Sequence, residues 1–109
     1  MRQHLEVSDV ISAMVERIVR DFQPLRIVLF GSHARGEAHE GSDIDLLVVL
    51  PAVRDKRRDA VAIRRALADF PVGKDIIVTT PDEINLRGNM VGSILRPALR
   101  DGKAIYERA

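Results

Sequence analysis

The chain has no cysteine and no tryptophan, and only three phenylalanines and one tyrosine. Without cysteine there can be no disulfide, no thiolate metal site and no cysteine nucleophile. The core has to be aliphatic, and the aromatic platforms on which single-stranded nucleic acid stacks are missing. A charge excess is missing too: 17 Lys and Arg against 16 Asp and Glu leave a net charge of +1. Nucleic-acid binders usually carry a marked basic excess, so no direct nucleic-acid contact is expected. No apolar run approaches the roughly 20 residues that span a bilayer. Residues 1–9 are mixed polar and charged, unlike the start of a secretory signal. The expectations are no membrane and a cytoplasmic location. The three histidines, His4, His33 and His39, do not fall at metal-ligand spacing.

What is present suits one small globular domain over residues 1–109, with 46% hydrophobic and 30% charged residues. Ser8 reads as an N-cap, and Ile11, Met14, Val15, Ile18 and Phe22 follow helical spacing up to Pro24. Leu25–Phe30 is a short apolar run rich in branched residues, hence a buried strand. Gly31-Ser32 breaks it, Ser32–Arg35 forms a short helix or turn, and Glu37–Ser42 is a loop. Asp43–Leu50 is a second strand, ended by Pro51. Alternation sets Asp43, Asp45, Leu47 and Val49 on one face and Ile44, Leu46, Val48 and Leu50 on the other.

Arg54–Phe70 reads as a long helix. Its inner stripe is Ala60, Ile63, Leu67 and Phe70, and its outer face is basic, from Arg54 to Arg65. Lys74–Thr80 is the third strand, with Asp75 in phase with Ile77 and Thr79. Thr80-Pro81-Asp82-Glu83 opens a helix: Thr80 caps, Pro81 takes the first position and Glu83 completes a capping box. Val91, Ile94, Leu95 and Ala98 give a last helical face, which Pro97 should kink or restart. Gly102 ends it, and Lys103–Glu107 is a terminal edge strand. The pattern predicts an α/β (α+β) fold: a mixed sheet of three or four strands, with helices mainly on one side.

The stretch Gly31–Leu50 (GSHARGEAHEGSDIDLLVVL) carries the chemistry. Asp43 and Asp45 share a face about 7 Å apart at a rise of about 3.3 Å per residue, and Asp75 joins them if its strand is the neighbour. Three ionised carboxylates that close repel one another, so either one is protonated or a cation sits among them. An oxygen-only donor set suits a hard ion such as Mg²⁺. Gly31 lets backbone approach an anion, Ser32 offers a hydroxyl, and Arg35 is within reach of a phosphate. Together these can seat a metal-bound nucleoside triphosphate.

GSHARGEAHEGSDIDLLVV, with Gly31, Ser32, Ala34, Arg35, Gly36, Ser42, Asp43 and Asp45, resembles the signature of the minimal nucleotidyltransferases in the polymerase-beta-like superfamily. KDIIVTT fits that family's third-carboxylate strand. The resemblance implies a Mg²⁺-dependent enzyme, with two ions, that transfers AMP from ATP to a tyrosine of a helical HEPN ribonuclease toxin and so serves as the antitoxin in a hetero-oligomer. It implies Asp43, Asp45 and Asp75 as catalytic metal ligands, and Gly31, Ser32 and Arg35 as triphosphate contacts. Asp75 would also serve as, or assist, the general base. Two other readings stay open at this point. One is a binding antitoxin that neutralises its partner without catalysis. The other is transfer to a small molecule such as an aminoglycoside.

Overall fold

The computed structural model describes residues 6–88, 90, 93 and 95–108. Helix α1 (Val7–Phe22) buries Met14 and Ile18 completely. It starts upstream of the expected Ser8 cap. The Asp9 and Val10 N–H groups both return to the Glu6 carbonyl, at 2.9 and 3.1 Å, so the first turn is already closed before Ser8 can cap it. Its end follows the sequence: Gln23 adopts a left-handed conformation (φ 51°), donates to Val19 O and hands over to Pro24.

Strand β1 (Arg26–Phe30), helix α2 (Ser32–Arg35) and strand β2 (Ile44–Val49) follow. Helix α3 (Lys56–Ala66) is shorter than its apolar stripe predicts. Asp55 caps it by accepting from the Arg58 N–H, and from Leu67 to Phe70 the chain tightens into i→i+3 turns. Ile63 and Leu67 are nonetheless fully buried.

Strand β3 (Lys74–Thr79) leads into helix α4 (Pro81–Arg87), with Pro81 at its start and the Thr80 hydroxyl accepting from the Glu83 N–H. The capping box is only half made. The Glu83 carboxylate instead accepts from the buried Thr79 hydroxyl and pairs with Lys56 of α3, because Thr79 has no water to turn to.

Helix α5 (Leu95–Asp101) and edge strand β4 (Lys103–Glu107) complete the fold. Val91 and Ile94 lie outside the described residues, while Leu95 and Ala98 are buried as the spacing requires. Pro97 falls in the first turn of α5, where a missing N–H costs no helical bond, so it need not kink the helix.

The sheet order is β3-β2-β1-β4, with β1 antiparallel to β2 and β4, and β2 parallel to β3. On one face, Met14 and Ile18 of α1, Ile63 of α3 and Leu67 just after it pack on Ile27, Leu29, Ile44, Leu46, Val48, Ile76 and Val78. On the other, Leu95 and Ala98 of α5 cover Val28 and Leu47. Both faces of β2 are therefore covered through its middle, which explains its nearly unbroken aliphatic run. Among the described residues no helix is long and apolar enough to cross a membrane.

Candidate active site

Strand register brings the predicted residues together. Phe30 of β1 pairs with Asp45 of β2, and Asp45 pairs with Asp75 of β3. Neighbouring strands lie about 4.8 Å apart, so Asp45 and Asp75 stand side by side on one face. Gly31 follows Phe30 directly and lies beside Asp45. Asp43 precedes β2 by one residue, on the same face as Asp45. This is the face that α5 covers further along at Leu47, and the acids occupy its open end. Asp43 and Asp75 are exposed and Asp45 is half-buried.

Gly31 has a conformation that side chains avoid (φ 75°, ψ −156°), and a Cβ there would collide with the Asp45 carboxylate. Two requirements thus meet at one glycine, a backbone reversal and a close approach to an acid. Gly31→Ala is expected to cost about 1–3 kcal/mol from backbone strain alone, read as a lowered denaturation midpoint, and to displace Asp45 as well.

Burial, then Asp75, then Asp43 push the Asp45 carboxyl above its ordinary value, with His33 and Arg35 opposing weakly. Because the folded-state value is raised, the folded chain holds this proton more tightly than the unfolded chain. The stabilisation it brings is present in acid and is lost as pH rises through the raised value. At neutral pH the ionised Asp45 therefore opposes folding of the metal-free chain. Asp45→Asn should raise the metal-free melting temperature at pH 7 by roughly 2–5 °C, a modest figure because the carboxyl is partly solvated. Added Mg²⁺ should raise the melting point of the wild type and not that of the variant. A variant that melts lower than the wild type without metal would contradict this electrostatic picture.

Helix α2 begins at Ser32. The Ala34 and Arg35 N–H groups return to Gly31 O, at 3.1 and 3.2 Å. Among the described residues, the Ser32 and His33 N–H groups have no backbone partner. Arg35 is exposed and donates from Nε to Glu37 at 2.7 Å. It is near enough to Asp45 to bear on that acid's charge, and it must release Glu37 to meet a phosphate. Such a surface pair is worth at most about 1 kcal/mol, so the release is easy.

Two features of the site were not read from the sequence. His33 Nε2 lies 3.3 Å from the Ser42 carbonyl, tying α2 to the loop ahead of Asp43. Gly73, just before β3, lies against the Asp43 carboxylate. Both depend on contacts across loops, for which linear spacing holds no signal.

Among the described residues no three His, Cys, Asp or Glu side chains form a ready-made cage for an ion. The acids share a face, but their carboxylates diverge: Asp45 leans toward Gly31 on the β1 side, and Asp43 toward Gly73 on the β3 side. Like charges separate where nothing neutral or positive lies between them. The oxygen donors and the raised Asp45 carboxyl fit a small divalent cation, which would relieve that repulsion.

A mixed sheet ending in paired carboxylates beside a Gly-Ser turn defines the nucleotidyltransferase class. Residues 11–95 match the nucleotidyltransferase domain family, and the chain belongs to it. Two Methanocaldococcus jannaschii proteins, each named a "putative protein adenylyltransferase", are relatives. One is 30% identical over 77% of this chain and 59% of its own length. The other is 35% identical over 74% of this chain and 77% of its own length. The first of these relatives is thus considerably longer than the stretch matched here. Among solved structures, a "putative nucleotidyltransferase" from Sulfolobus solfataricus superposes with TM-score 0.59 at 25% identity, over 91% of this chain and 78% of that one. A chain of a toxin–antitoxin structure with AMP-PNP gives 0.56 at 22% identity, over 88% and 73%. A chain of a mutant MntA–HpeT toxin–antitoxin gives 0.55 at 19%, over 88% and 72%. The last two likenesses are of fold.

Proposed function

We propose that this chain is a Mg²⁺-dependent protein adenylyltransferase that moves AMP from ATP to a tyrosine of a HEPN-type toxin and thereby acts as its antitoxin. The observation that carries this reading is the register Phe30–Asp45–Asp75, which sets the Gly31-Ser32 turn and two acids next to one another. Support for the substrates comes from the names of the two relatives. Support for the partner comes from the toxin–antitoxin structures that share the fold, one of them with AMP-PNP.

In this reading Gly31 and Ser32 hold the triphosphate, with Arg35 available once it leaves Glu37. Asp43, Asp45 and Asp75 would hold Mg²⁺, which supplies charge neutralisation at the phosphates and the departing pyrophosphate. The acceptor oxygen attacks the α-phosphorus. A new O–P bond forms, the bond from the α-phosphorus to its bridging oxygen breaks, and pyrophosphate leaves. Asp75, exposed at the edge strand, takes the acceptor proton or passes it to water.

The test is the intact mass of a candidate helical partner after incubation with this chain, ATP and Mg²⁺. A gain of one or more AMP groups is expected. A stable complex with no mass gain would replace transfer by binding alone.

A further inference from the structure

Helix α3 carries a surface that neither the fold nor the chemistry uses. Arg54, Arg57, Arg58, Arg64 and Arg65 are all exposed, and among the described residues none of them joins an ion pair. Elsewhere arginines do find carboxylates: Arg17 meets Asp69, Arg20 meets Asp21, Arg35 meets Glu37 and Arg100 meets Asp101. Lys56, beside these arginines, is taken by Glu83. The acids of the stretch are engaged otherwise: Asp55 caps the helix through the Arg58 N–H, and Asp59 is half-buried. A solvated helix face ordinarily alternates in sign, so that residues three or four apart attract. This face has a single sign, in a chain whose net charge is only +1. Part of it also stands at the wrong end. Arg57 and Arg58 lie in the first turn, where the helix dipole disfavours cations. Arg64 and Arg65, in the last turn, suit the dipole. Stability therefore does not account for the arginines at the start of α3.

The same surface has an apolar centre. At about 3.6 residues per turn, Arg58, Val61 and Arg65 form a stripe on the side away from the buried Ile63, with Arg57 and Arg64 flanking it. Val61 is 39% exposed, unlike most of the chain's large apolar side chains. A groove of about 460 Å³ runs over Val61 and Ala62, walled by Arg57, Arg58 and Arg65. Protein-binding patches have this make-up, an apolar centre ringed by residues in which arginine is enriched and lysine depleted. A nucleic-acid site would call for a wider basic excess and for aromatic platforms, which the chain lacks. We propose that α3 is a docking surface for an acidic amphipathic helix of a partner protein. The apolar stripe of that helix lies on Val61 and Ala62, and its carboxylates meet the arginines as bidentate pairs. Helix α3 packs on the sheet face opposite the acids, so an occupant there leaves Asp43, Asp45 and Asp75 open. Neither the acids nor a nucleotide takes part, so this surface stands or falls apart from the proposed function.

The probe is a synthetic amphipathic peptide helix, with leucine along one stripe and glutamate on both sides of it. It is titrated into the nitrogen-15-labelled chain at physiological ionic strength and followed by backbone amide shifts. The shifts should saturate and concentrate in residues 54–65. Arg57→Glu combined with Arg58→Glu should weaken binding about 10-fold or more, since it sets like charges against the peptide. The same double variant should melt no lower than the wild type, because acids in the first turn suit the helix dipole. Lost binding with undiminished stability marks a surface kept for a partner and not for the fold. Scattered shifts, no saturable binding, or wild-type affinity in the variant would overturn the proposal. A variant that melts well below the wild type would overturn it too, since the arginines would then serve the fold. A uridine oligonucleotide titrated in parallel should bind more weakly than the peptide. Tighter binding of the oligonucleotide at the same residues would assign the surface to nucleic acid and overturn the proposal.

Discussion

Replacing both Asp43 and Asp45 by alanine is expected to lower transfer of labelled AMP at least about a thousandfold, since the charge stabilisation a bound metal gives the reacting phosphates is worth several kcal/mol. The fold should survive. Asp43 is exposed, Asp45 is half-buried, and among the described residues neither accepts a side-chain hydrogen bond or forms an ion pair. The double variant also loses the half-buried Asp45 carboxyl, whose charge burial and then its acidic neighbours disfavour, and with it the repulsion among the acids. The double variant should therefore melt no lower than the wild type while losing transfer, a separation that a structural role for these acids would not give. The checks are a thermal melt and a gel of the labelled partner, run on the same preparation. A folded double variant with full transfer would remove the acids from the chemistry.

The second large effect is on stability. Leu47 lies two residues along β2 from Asp45 on the same face, fully buried against Val28, Leu95 and Ala98. Leu47→Ala leaves a cavity between the sheet and α5, a change that costs about 2–5 kcal/mol in comparable cores. In a domain of this size that lowers the melting temperature by roughly 10–25 °C. The loss bears on function because α5 bounds the open end of the face that carries the acids. At temperatures where the variant is still folded, its amide protection should fall first in α5. The two long helices on the opposite face rest on a separate cluster. Uniform loss of protection throughout would show that the two faces melt as one unit.

Much of this was legible in the sequence because local chemistry and tertiary role agree in it. Leu25–Phe30 and Asp43–Leu50 are branched and apolar, and both faces of β2 are covered. The alternation that set Asp43 and Asp45 opposite Ile44 and Leu46 is the division between the two faces of the sheet. The Thr80-Pro81 start of α4 was readable because its cap uses adjacent residues. What could not be read depends on atoms far apart in the chain. The Asp45–Asp75 pairing was conditional until the parallel register of β2 and β3 fixed it. Glu83 turns from its own helix to the Thr79 hydroxyl and Lys56 because those partners are nearer and one of them is buried. Gly73 lies outside every pattern read from the sequence, and its place against the Asp43 carboxylate comes from the pairing of β2 with β3. Ser8 lost the cap to Glu6 because the backbone closed its first turn earlier, a choice of one residue that composition does not decide.

The most direct test of the central claim is a crystal structure of the chain with Mg²⁺ and a non-hydrolysable ATP analogue. Asp43 and Asp45 carboxylate oxygens are expected about 2.0–2.1 Å from Mg²⁺, with the triphosphate against Gly31 and Ser32. A nucleotide bound elsewhere, with the two carboxylates still apart and no metal between them, would contradict it.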